Sequence, residues 1–154
     1  MTGAGKNGGG NEMKAKDKRL VLLAGLAAWI VFIFVRSLQP GTASNGESRW
    51  MLELLQRCLG WLPIQLNMHL VRKLAHFTEF AVLGALAGGL FGLGRRGRLW
   101  RSLFYAAVVG GGIALCDETI QLFVAGRNGQ VKDVWLDLAG AVTGAVVVTL
   151  ALYL

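Results

Sequence analysis

Leu103–Val124, LFYAAVVGGGIALCDETIQLFV, decides the fold. It is long enough to cross a bilayer, since a hydrocarbon core of about 30 Å needs roughly 20 helical residues. Yet Asp117, Glu118 and Gln121 stand in its last turns. A charge at the centre of a membrane helix costs about 2.5–3.5 kcal/mol on insertion scales. These acids must therefore sit near a membrane surface, turn inward, or find partners. Three more apolar stretches surround this one: Leu20–Leu38, Leu74–Leu93 and Val134–Leu154. Each carries polar residues near one end: Arg36 in the first, where its side chain is expected to snorkel to the surface, His76 and Glu79 in the second, and Asp137 in the third.

The rest of the composition agrees. The 154 residues are 54% hydrophobic and 16% charged, against about 25% charge in an ordinary soluble domain. The expected class is an all-α integral membrane protein with four transmembrane helices and one short interfacial amphipathic helix. Residues 1–19 are Gly-, Asn- and Lys-rich and read as a disordered cytoplasmic tail, leaving 20–154 as a four-helix membrane domain. The stretch after the tail ends in Arg36-Ser37-Leu38-Gln39-Pro40 rather than in a small-residue cleavage site, so it reads as an uncleaved anchor. Cys58 and Cys116 have no metal or redox spacing and read as packing residues.

Basic residues set the direction. The tail and the loop 94–101 hold Lys6, Lys14, Lys16, Lys18, Arg19, Arg95, Arg96, Arg98 and Arg101, nine of the chain's 16. Positive-inside reasoning puts the tail, that loop and the C-terminus in the cytoplasm of a multi-pass protein of the cell membrane. The net charge of +7 is thus read as helix anchoring, and nucleic acid is not an expected partner. On this topology His76 and Glu79, then Asp117, Glu118 and Gln121, then Arg127, Asp133 and Asp137 fall at one depth, near the outer surface.

Within 49–62, Arg49, Glu53, Gln56, Arg57 and Gly60 form one polar stripe on an otherwise apolar helix. Ser48 is expected to cap it and Pro63 to stop it. It reads as an interfacial anchor held by Trp50 and Trp61, or as a lid over the polar cluster. Gly84 and Gly88, Gly140 and Gly144, and the run Gly110–Gly112 read as close helix packing.

At 100° per residue, Arg72, His76 and Glu79 fall within about 60° on one helix face, with His69 one turn earlier and Lys73 at the edge. Asp117 and Gln121 are at i,i+4, as are Asp133 and Asp137. Three chemistries can use such a set. His76 beside Glu79, Asp117 or Glu118 can hold and relay a proton, which makes these four the catalytic candidates. The same atoms can ligate a metal, although no HExxH or Cys/His spacing is present, and neither metal nor cofactor is expected. Arg72, Lys73 and Arg127, oriented by Asp133, Asp137 and Gln121, can bind an anionic headgroup. The plain alternative is that Arg72 or Arg127 bridges the acids and the cluster only holds helices together. Nucleophilic catalysis is disfavoured, since Ser102 falls on the cytoplasmic side, Cys116 neighbours Asp117 without evident activation, and Thr78 and Thr119 are ordinary. A small transporter is disfavoured by the chain's size and lack of an internal repeat.

Three blocks, Arg72-Lys73-Leu74-Ala75-His76-Phe77-Thr78-Glu79-Phe80 with Leu83-Gly84, Asp117-Glu118-Thr119-Ile120-Gln121-Leu122-Phe123 with Gly126-Arg127, and Asp133 with Gly140, resemble the VanZ-like family in order and spacing. The resemblance covers about residues 69–145. It implies a small multi-pass bacterial membrane protein of the cell envelope. One member of that family is associated with resistance to the glycopeptide teicoplanin. The chain departs from the family pattern at Asp137, where Asn is usual, and near Ala125, where Pro is common. The implied function is binding or modification of an envelope lipid or lipid-linked wall component. Membrane lipids, and a second copy of the chain, are the expected partners.

Overall fold

The computed structural model describes residues 8–59, 61, 66–93 and 99–153. They form five helices: α1 (Gly8–Ser37), α2 (Gly41–Leu59), α3 (Met68–Gly92), α4 (Leu99–Leu122) and α5 (Val131–Tyr153). Four are long and apolar enough to span a membrane, over Lys16–Ser37, Met68–Gly92, Leu99–Leu122 and Val131–Leu152. α3 is central and touches each of the other four, while α4 also packs on α5 and α1.

Three boundaries differ from the sequence reading. α1 begins at Gly8, so residues 8–19 extend a helix rather than form the expected disordered tail. Glu12–Arg19 is rich in Lys, Ala, Met and Glu, which are good helix formers, and an adjoining span supplies the costly nucleus. Residues 1–7 lie outside the described ones. α3 begins at Met68 because Asn67, in extended conformation, accepts the Leu70 N–H at 2.8 Å and caps the first turn. α2 begins directly after Pro40, not at Ser48. The Ser48 hydroxyl donates instead to the Ser44 carbonyl at 2.8 Å, in mid-helix. Pro63, the expected stop, lies outside the described residues, as do 94–98 of the basic loop.

Lipid is as apolar as leucine, so helices in a bilayer associate through close packing rather than through expulsion of water. The core accordingly mixes Phe80, Leu83 and Ile33 with Ala87, Ala106, Ala114, Ala141 and Ala145. The expected glycine pairs of α3 and α5 each face the backbone of the other helix. A Cβ on Gly84 would fall on the Ala141 carbonyl, one on Gly144 on the Ala81 carbonyl, and one on Gly140 on the Phe77 carbonyl. α3 and α5 therefore run backbone to backbone. Cys58 and Cys116, expected to pack inside, are instead both free and exposed.

The start of α2 is pinned to the α4–α5 connection. The Gly41 N–H donates to the Ala125 carbonyl at 3.0 Å, and a Cβ on Gly41 would strike the Gly126 carbonyl. Gly126 itself has φ +75°, the left-handed region open to glycine. These contacts hold α2 across the end of the bundle where α1 and α4 finish and α3 and α5 begin.

Candidate functional site

That end gathers the buried acids of the bundle together with His76. The Nδ1 of His76, in the third turn of α3, stands 3.6 Å from Asp137 Oδ1 and 4.0 Å from Asp117 Oδ2. Asp117 and Asp137 are 1% and 0% exposed, and Glu118 is 5% exposed. Asp117 accepts a hydrogen bond from Gln121 Nε2 at 2.8 Å and another from the Ser37 hydroxyl at the end of α1. Glu118 Oε2 accepts the Gln130 N–H at 2.7 Å, tying the end of α4 to the approach to α5. Neither Asp137 oxygen has a hydrogen-bond partner. His76, Asp117, Glu118 and Asp137 each place one donor atom so that all four atoms lie within 4.8 Å of one another.

The cations form a second layer beside this group. Arg36 pairs with Glu47 of α2 at 2.6 Å and with Glu79 of α3 at 3.0 Å. Arg127 donates to the carbonyls of Gln39 at 3.2 Å and Arg36 at 2.9 Å. Burial, reinforced by the neighbouring Arg72, lowers its pKa from the ordinary guanidinium value, yet arginine remains a cation. Arg72 donates to the Asn45 side chain of α2, and Lys73 pairs with Asp133 at 3.3 Å. The expected bridge from Arg72 or Arg127 to Asp117, Glu118 or Asp133 is thus not made. The arginines hold α2 and backbone carbonyls, and Lys73 takes Asp133.

Two spaces adjoin these layers. Arg36, Arg72, Arg127, His76, Glu79 and Asp117 help to line a small cavity of about 20 Å³, roofed by Ser44 and Ser48 of α2. A second cavity of about 120 Å³ has His69, Arg72, Lys73, Arg127 and Asp133 on its wall. A groove of about 490 Å³ between α2 and α3 is lined by Trp50, Met51, Val71 and Ala75, with Arg36, Glu47 and Ser48 also on its wall.

Of the sequence candidates, His76, Asp117, Glu118 and Asp137 come together directly, Gln121 supports Asp117, and Glu79, Arg72 and Arg127 border the small cavity. Lys73 and Asp133 lie on the larger one. Four participants escaped the sequence reading: Arg36, Ser37, Asn45 and Glu47. Arg36 was expected to snorkel outward, and instead it is held by two carboxylates. The hydroxyls of Thr78, Thr119 and Ser102 donate to the carbonyls of Leu74, Leu115 and Gly88, which leaves none of them aimed at the site.

Four helices long and apolar enough to span a bilayer, with their buried acids gathered at one end, define a multi-pass helical membrane protein. The family model described as VanZ/LLP1 matches residues 22–152, and the chain belongs to that family. The match takes in α1, and with it Arg36 and Ser37, beyond the region that the sequence motifs covered. No curated protein and no solved structure matches the chain.

Proposed function

We propose that the protein binds a phosphate-bearing lipid, or lipid-linked wall component, at the outer leaflet of a bacterial cell membrane. The observation that carries this reading is the junction of two unlike spaces. The largely apolar groove between α2 and α3 shares Arg36 and Ser48 with the small cavity that Arg72 and Arg127 also line. An acyl or polyprenyl chain fits the groove, and guanidinium groups suit a phosphate through paired, charge-assisted hydrogen bonds. Basic pockets between membrane helices take anionic headgroups on the same principle. The excess of Lys and Arg in the tail and middle loop supports an orientation with both termini cytoplasmic and the site outward.

The test is lipid retention. Native mass spectrometry of the chain released from nanodiscs of phosphatidylglycerol should retain lipid that phosphatidylcholine nanodiscs do not supply. Arg72→Ala and Arg127→Ala should each lower retention at least fivefold. Equal retention of both lipids, or retention unchanged by both substitutions, would overturn the reading. Expression in a glycopeptide-sensitive host, with teicoplanin susceptibility as the readout, connects binding to an envelope role. Orientation is checked by labelling a cysteine placed at Asn128. It should react with an impermeant reagent from outside the cell, and labelling from the cytoplasm alone would turn the site inward.

A second reading, a membrane enzyme, is favoured by the approach of His76 to Asp137 at 3.6 Å. A histidine held by a carboxylate can act as a general base. It predicts turnover of the bound lipid that His76→Gln abolishes while retention persists.

A further inference from the structure

We infer that His76, Asp117, Glu118 and Asp137 form a binding site for one divalent transition-metal ion of the Zn²⁺ or Mn²⁺ class. No metal-binding motif predicts it, because the ligands come from three helices. His76 is supplied by α3, Asp117 and Glu118 by α4, and Asp137 by α5.

Charge is the first argument. Three carboxylates and one imidazole meet at the end of a membrane-spanning bundle, with Asp117, Glu118 and Asp137 all buried. A buried charge needs a partner or it costs several kcal/mol on an order-of-magnitude scale. Among the described residues, no Lys or Arg forms an ion pair with any of the three. Arg36 goes to Glu47 and Glu79, and Lys73 goes to Asp133. His76 offers at most one positive charge, so a dication supplies what the protein does not.

A buried carboxylate with no hydrogen bond is the second argument. Asp137 is fully buried, faces His76, and has both oxygens without a hydrogen bond. Nearly all buried polar atoms in native proteins are satisfied, so an orphan of this kind needs a cause. The neighbouring acids are positioned and still have capacity. Asp117 is held by Ser37 and Gln121, and Glu118 is held through Oε2 alone, which leaves Oε1 free. Outer hydrogen bonds of this kind orient metal ligands elsewhere.

Geometry and ligand type narrow the ion. The four donor atoms lie within 4.8 Å of one another. In a tetrahedral Zn²⁺ shell with bonds of roughly 2.0–2.2 Å, ligand atoms stand about 3.3–3.6 Å apart. A pair at the 4.8 Å limit must close by roughly 1.3 Å to hold an ion, a shift shared between two side chains. One imidazole with three carboxylates suits Zn²⁺ or Mn²⁺. Ca²⁺ prefers six to eight oxygens, and Mg²⁺ keeps its waters.

The experiment uses the full chain in detergent, freed of lipid, treated with chelator and titrated calorimetrically with Zn²⁺, Mn²⁺ and Mg²⁺. One Zn²⁺ or Mn²⁺ should bind per chain, at least tenfold tighter than Mg²⁺, and raise the unfolding temperature because it joins three helices. Asp137→Asn and Glu118→Gln keep side-chain volume and should each weaken binding at least tenfold. Asp17→Asn, an exposed acid on α1 far from the group, should bind as the parent chain does. If either isosteric variant fails to accumulate, the X-ray absorption spectrum of the Zn²⁺-loaded parent decides, with one imidazole nitrogen among oxygen ligands expected. No stoichiometric binding, binding that survives both isosteric substitutions, or a coordination shell without imidazole would overturn the proposal. Lipid plays no part in the titration, so its outcome is independent of the lipid reading.

Discussion

Along α3 and α5, Gly84 and Gly144 bring two backbones into contact with no charged group between them. Two turns nearer the end of the bundle, His76 and Asp137 bring two ionisable side chains together on the same pair of helices, and both Asp137 oxygens lack a hydrogen bond. The first region is complete as a piece of packing. In the second, buried carboxylates outnumber the cations that pair with them. The glycine seam gives α3 and α5 a close contact of their own, and the proposed division of labour is that the seam holds the two helices while the polar end binds.

Substitutions in the seam should have the largest effect on folding. Gly84→Ala and Gly144→Ala drive a methyl group into a backbone carbonyl, at the upper end of the 1–3 kcal/mol typical of overpacking, so about 3 kcal/mol. Both should lower the unfolding temperature in detergent and reduce membrane abundance. Gly112→Ala meets nothing within 4 Å and should be neutral, or stabilising by up to about 1 kcal/mol through helix propensity. If all three behave alike, close approach does not define the seam.

Two smaller effects sharpen the contrast. Asn67→Ala removes the cap of α3 and should cost about 1 kcal/mol in thermal unfolding. Ser102→Ala removes the bond to the Gly88 carbonyl, 3.0 Å away at the opposite end of α3 from the site. It should cost about 0.5–1.5 kcal/mol and leave lipid retention unchanged. A loss of retention in Ser102→Ala would mean that the two ends of the bundle are not separable.

The four spans were legible because hydropathy and length leave few alternatives for Leu103–Val124 and its three counterparts. The common depth of His76, Asp117, Glu118 and Asp137 was legible from topology and charge count. What escaped depended on contacts distant in sequence. Arg36 and Ser37 read as the end of an apolar run, and only the packing of α1 on α3 and α4 shows Arg36 meeting Glu79 and Ser37 meeting Asp117. Asn45 and Glu47 sit in a Gly- and Ser-rich stretch that reads as loop. They become part of the site because Gly41 docks on the α4–α5 connection and starts α2 seven residues before Ser48. The choice between helix glue and binding site was equally hidden, since it turns on where Arg72, Lys73 and Arg127 point. Asp137 adds a carboxylate that faces His76 and whose oxygens have no hydrogen bond.

Glu118→Gln tests most directly whether the polar end binds rather than holds. The substitution keeps the shape of Glu118 and can still accept the Gln130 N–H, while it removes one carboxylate from the buried group. Unfolding temperature, membrane abundance and metal stoichiometry would be measured on the same preparations as Gly84→Ala. Near-parent stability and abundance, with metal binding weakened at least tenfold, is the outcome expected here. A fall in stability as large as that of Gly84→Ala, with metal binding unchanged, would contradict it and return the cluster to the role of helix glue.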